Sequence, residues 1–82
     1  MKKIDYTREA SKALRKMPAN EAKRVRGKIE AYAADPAPLA NNVKRLEGEN
    51  AVRLRVGDWR VIMRDGEVLA ILKIGPRGGV YE

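Results

Sequence analysis

The chain has 82 residues, enough for a single domain over residues 1–82 with a modest core, since domains of this size bury only about 60% of their surface on folding. Eighteen Lys and Arg against eleven Asp and Glu leave a net charge of +7, a balance that points to nucleic acid, an anionic surface or an acidic protein partner. Lack of cysteine excludes a disulfide framework, lack of histidine removes the usual general acid–base group and the commonest metal ligand, and no apolar run resembles a signal peptide or a membrane span, so a soluble cytoplasmic protein is expected.

Lys2–Tyr6 reads as a short strand, with Ile4 and Tyr6 on one side. Thr7 is a good N-cap for a helix through Met17, and Glu9 falls in its first turn where the helix dipole favours an anion. Ala10, Ala13, Leu14 and Met17 form its apolar stripe at i, i+3, i+4, i+7. Pro18 ends this helix, and Asn20 is expected to cap a second one running to about Ala34, with the stripe Ala22, Val25, Ile29, Tyr32 and Ala33. The Lys and Arg on the outer helical positions read as solvated surface. Asp35-Pro36-Ala37-Pro38 stops the helix and opens a loop, which Val43 and Leu46 should pin to the core.

From Ala51 to Leu72 the pattern is that of three strands joined by two tight turns. Val52, Leu54 and Val56 alternate with Arg53 and Arg55, the period of a half-buried strand. Gly57-Asp58 and Asp65-Gly66 are both plausible two-residue turns. Two such turns place Val56 opposite Trp59, Leu54 opposite Val61 and Val52 opposite Met63; across the second, Met63 meets Val68, Val61 meets Ala70 and Trp59 meets Leu72. That gives one apolar face. The other carries Arg53, Arg55, Arg60, Ile62, Arg64, Leu69, Ile71 and Lys73, with Arg55 directly opposite Arg60 and Arg64 opposite Glu67. Two like charges facing each other across a sheet destabilise it unless an anion lies between. The expected fold is α+β, in the order β-α-α-β-β-β: a two-helix hairpin packs on one face of an antiparallel sheet, and the arginine face stays open. The carboxylates Glu47, Glu49, Asp58 and Asp65 show no metal-ligand spacing and read as turn and surface residues. Gly75-Pro76-Arg77-Gly78-Gly79 lacks the spacing of a nucleotide-binding loop and has no helix after it.

The stretch RLRVGDWRVIMRDGEVLAILKIGPRGGVYE, together with the helical hairpin ASKALRKMPANEAKRVRGKIEAYAADP before it, resembles the RelE/ParE superfamily, the toxins of type II toxin–antitoxin pairs. The most specific part is RLRVGDWRV, a DG hairpin and a G-x-R-x-x-x-Y ending. The resemblance implies a metal-independent, ribosome-dependent mRNA endonuclease (an mRNA interferase) with no cofactor. It also implies neutralisation by a cognate antitoxin, expected to be acidic and partly disordered when free, in a hetero-oligomeric complex. The residues carried over are Arg53, with Arg55 as the alternative on the same strand, then Arg60, Arg77 and Tyr81; Arg55, Arg64 and Lys73 would add contacts to RNA in the ribosomal A site. Attack of an RNA 2′-hydroxyl on the adjacent phosphate would leave a cyclic phosphate, with Arg60 and Arg77 stabilising the charge on the phosphoryl oxygens. Arg53 stands where the branch commonly has lysine, and Pro76 where many relatives have a basic residue or histidine. Acid–base roles then fall to Tyr81, Lys73 or a ribosomal RNA group. The ParE branch, which inhibits DNA gyrase by binding, is the alternative on the same fold, and an antitoxin-binding relic is the third.

Overall fold

The computed structural model describes residues 1–47 and 51–76. The order is β1 (Ile4–Tyr6), α1 (Arg8–Lys16), α2 (Ala19–Ala34), a 3-10 helix (Ala37–Asn42), β2 (Val43–Arg45), β3 (Ala51–Val56), β4 (Trp59–Asp65) and β5 (Leu69–Pro76). The five strands form one sheet in the order β1-β5-β4-β3-β2. β1 runs parallel to β5, and every other pair is antiparallel. Both helices cover the same face.

Local chemistry accounts for the helices. Thr7 caps α1, its hydroxyl accepting from the backbone N–H of Ala10 at 3.1 Å. The same hydroxyl donates to the carbonyl of Leu72 at 3.0 Å, tying the start of α1 to β5. The α2 stripe buries Ala22, Val25, Ile29, Tyr32 and Ala33, the set expected from its period. Its cap differs from expectation. Pro18, not Asn20, occupies the N-cap, and its carbonyl accepts from the N–H of Ala22 at 2.9 Å. A proline is harmless there because an N-cap residue needs no N–H of its own for the helix.

Two further departures lie in the sheet. The segment read as a loop after α2 contains the 3-10 helix and β2, which pairs antiparallel with β3: Val43 with Leu54, Lys44 with Arg53, Arg45 with Val52. Val43 packs against the core, while Leu46 is half-buried and held by its N–H to the carbonyl of Ala51.

The β4–β5 register is the second. β3–β4 pairs as expected around Gly57, which sits at φ 60°. Asp65-Gly66 does not form the two-residue turn: β4 continues through Asp65, which pairs with Leu69. Met63 therefore meets Ile71 rather than Val68, three positions further on, and an odd shift turns a strand over. Leu69 and Ile71, expected on the open face, are fully buried, while Val68 is 38% exposed. Burying Leu69 and Ile71 in place of Val68 and Ala70 places four more side-chain carbons in the core, about 3 kcal/mol at roughly 0.8 per methylene. A bulge between Ile62 and Met63 then adds a residue on β5, so that Val61 meets Ile74 and Ile62 meets Lys73. The shift becomes four, an even number, and Lys73 returns to the open face. Arg64 faces Ala51 and Ala70, not Glu67.

Candidate nucleic-acid interface

The open face is read most easily as rows across the strands. One row runs Gly75, Arg60, Arg55. The next runs Lys73, Ile62, Arg53, Lys44. Two directly opposed cation pairs, Arg55 with Arg60 and Lys44 with Arg53, thus lie in adjacent rows. Opposed like charges cost stability in a sheet, so the arrangement favours anions bound over it. Glycine opposite Arg60 leaves that end of the row without a side chain.

Arg60 is held in place. Its Nη1 donates to the carbonyls of Gly57 and Trp59, both at 3.1 Å. The same turn is gripped from the helix side, where the Trp59 indole N–H donates to the Glu21 carboxylate at 2.8 Å. The Arg24 guanidinium lies over Gly57, within 2.7 Å of where a Cβ would stand. Trp59 accordingly lies half-buried on the core side, as its place in the apolar alternation predicts.

Of the expected site residues, Arg53, Arg55, Arg60 and Lys73 are gathered in these two rows. Arg64 shares the face but stands four residues along β4 from Arg60, about 13 Å at 3.3 Å per residue. Arg77 and Tyr81 lie outside the described residues; β5 carries the chain to Pro76, opposite Trp59. Lys44 was missed by sequence reading. Val43-Lys44-Arg45 is too short to show a strand period, and only its pairing with β3 turns Lys44 to this face.

Asp65 proves to be more than a turn residue. Its Oδ1 takes an ion pair from Lys2 Nζ, and its Oδ2 accepts from the Tyr32 hydroxyl at 2.9 Å. Burial pushes its carboxyl up, but hydrogen bonds from Lys2 and Tyr32 and the charges of Lys2 and Arg45 outweigh that and hold it below the ordinary value. Burial, then the bond to Asp65 and its charge, push the Tyr32 hydroxyl up to about 12. This cluster lies on the helix side and locks the N-terminus, α2 and β4 together. Among the described residues no group of three or more carboxylate, His or Cys side chains is placed to hold a metal, and no helix is long and apolar enough to cross a membrane.

The two-layer α+β domain, with helices on one sheet face and a cationic face opposite, matches the RelE-like fold. The family described as "ParE toxin of type II toxin-antitoxin system, parDE" matches residues 4–81. The chain belongs to that toxin family, within the RelE/ParE superfamily. Among solved structures it is similar to the archaeal RelE–RelB complex of Pyrococcus horikoshii, with 29% identity over 95% of this chain and 97% of that one and a TM-score of 0.81. The toxin–antitoxin complex RelBE2 of Mycobacterium tuberculosis (21% identity, 93% and 98% covered, TM-score 0.75) and the isolated RelE toxin of Escherichia coli (16%, 94% and 85%, TM-score 0.77) share its fold. No curated protein sequence matches it.

Proposed function

We propose that this toxin cleaves mRNA on the ribosome and is silenced by a cognate, acidic antitoxin. The observation that carries the reading is the opposed pair Arg55–Arg60 on the sheet face turned away from the helices, with Lys44, Arg53 and Lys73 in the adjacent row. A guanidinium offers two parallel donors to a phosphate and keeps its charge throughout the reaction. Arg60, fixed by the Gly57 and Trp59 carbonyls, is preorganised to meet charge as it develops on the phosphoryl oxygens during attack by the neighbouring 2′-hydroxyl. Arg77 is assigned the same role by the family resemblance. Arg53 and Arg55 hold the strand, Lys73 and Arg64 extend the contact, and Tyr81 stacks on a base or carries a proton. The antitoxin assignment draws support from the neighbours, several of which are RelE–RelB complexes, and from the charge of +7.

A second reading follows from the family description, which names ParE: a gyrase inhibitor that uses the same cationic face for binding alone. Primer extension on a reporter mRNA after brief induction, with plasmid supercoiling measured in the same cells, separates the two. Cleavage within the translated region, reduced about 100-fold or more in Arg60→Ala, supports the nuclease. Intact message with altered supercoiling replaces it with the gyrase reading. Tyr81→Phe divides the tyrosine's two roles: unchanged cleavage removes the hydroxyl as acid or base.

A further inference from the structure

Beside the Arg55–Arg60 pair, the open face dips into a cleft of about 80 Å³ lined by Asn41, Asn42, Val43, Lys44, Arg53 and Arg55. Among the described residues, three cations and two amides line it and no carboxylate does. Its volume is enough to seat a phosphate group. The 3-10 helix ends at Asn42 and β2 begins at Val43, so the two asparagines form one wall while Lys44 rises from the edge strand. Arg53, half-buried, forms the floor between Lys44 and Ile62.

We propose that this cleft is a second phosphate subsite, which holds the phosphodiester next to the scissile one on a single RNA strand. Lys44 and Arg55 supply the charge, and the Asn41 and Asn42 amides donate to the phosphate oxygens. Lys44 lies diagonally from Arg55, about 7–8 Å away in a paired sheet, comparable with one nucleotide step. A strand whose scissile phosphate sits over Arg55–Arg60 therefore reaches the cleft with its neighbouring phosphate. The strand so bound crosses the sheet toward β2, and the cleft fixes its register. The inference rests on the reading that the open face engages RNA.

The test uses fluorescence anisotropy with a labelled, uncleavable 2′-O-methyl hexanucleotide across a salt series. Lys44→Gln should weaken binding three- to ten-fold and lower the slope of log K against log salt by about 0.7, the value of one contact on a single strand. Asn41→Ala with Asn42→Ala should weaken binding without changing the slope, because the amides carry no charge. Arg45→Gln is the control: an exposed cation on the same strand, turned by the pleat to the helix side opposite Val52. An Arg45→Gln effect equal to that of Lys44→Gln would reduce the cleft to part of a general field and overturn the proposal, as would no binding by the parent protein. Tighter binding of an oligoglutamate peptide than of the oligonucleotide, with the same Lys44 dependence, would reassign the cleft to an acidic protein partner. Inorganic phosphate should compete in the parent and lose that effect in Lys44→Gln. Ribosomal cleavage is read separately: Lys44-dependent RNA binding without cleavage supports the subsite and refutes the nuclease, while cleavage indifferent to Lys44 refutes the subsite alone.

Discussion

Asp65→Asn should destabilise the fold in a pH-dependent way without touching the cationic face. The side chain keeps its size, but the Lys2 ammonium loses its anion and the Tyr32 hydroxyl is left with a neutral acceptor. The Asp65 and Lys2 side chains are 25% and 36% exposed, so the ion pair is worth nearer the surface value, up to about 1 kcal/mol, than a buried one. Weakening the Tyr32 bond from charged to neutral acceptor adds about 0.5–1 kcal/mol. The sum, about 0.5–2 kcal/mol at pH 7, lowers Tm by up to about 10 °C in a chain of this length. Because the folded carboxyl is held below its ordinary value, its stabilisation is complete above the unfolded value, about 3.9, and fades as pH falls through the folded one. Urea unfolding of both proteins, followed by Trp59 fluorescence at pH 7 and near pH 2.5, should therefore show a gap at neutral pH that narrows in acid. A gap of equal size at both pH values, or none at pH 7, would refute the assignment of Asp65 as a structural anion.

Three further outcomes follow from the same geometry. Leu69→Ala should cost about 2–5 kcal/mol and Val68→Ala no more than about 0.5, measured as urea midpoints; the reverse order would restore the two-residue turn and reject the bulged register. Among the described residues the buried Tyr6 hydroxyl has no hydrogen-bond partner, so Tyr6→Phe should leave stability unchanged or raise it by about 1 kcal/mol, and a clear drop in Tm would expose a partner for that oxygen. Gly57→Ala places a β-carbon at φ 60°, a strain of about 1–2 kcal/mol, with the Arg24 guanidinium free to swing aside; Gly57→Asn, which tolerates that region, should lose less in the same melt.

How much of this was readable in advance depends on how far apart the deciding partners lie. The helical stripes were legible because neighbours three and four residues apart share a helix face whatever else the chain does. The β3–β4 hairpin was equally local: Gly57-Asp58 sets its register, and with it the facing of Arg53, Arg55 and Arg60. The β4–β5 hairpin was not. Asp65-Gly66 is a good turn signal, but Asp65 is drawn into the sheet end by Lys2 and Tyr32, 63 and 33 residues away, and Leu69 is held by its N–H to the carbonyl of Lys3. β2 went unseen for a similar reason, since three residues acquire strand character only by pairing with β3.

Composition and alternation alone therefore determined that the chain builds a small α+β domain with one apolar and one arginine-bearing sheet face, because side-chain period and charge are properties of the string. Tertiary structure decided which side of β5 turns inward, that Lys44 joins the cationic rows, and that Asp65 serves the fold rather than a turn. Those outcomes hang on contacts between distant segments, where the larger apolar pair wins burial and a half-buried carboxylate finds its donors, and no local pattern carries that information.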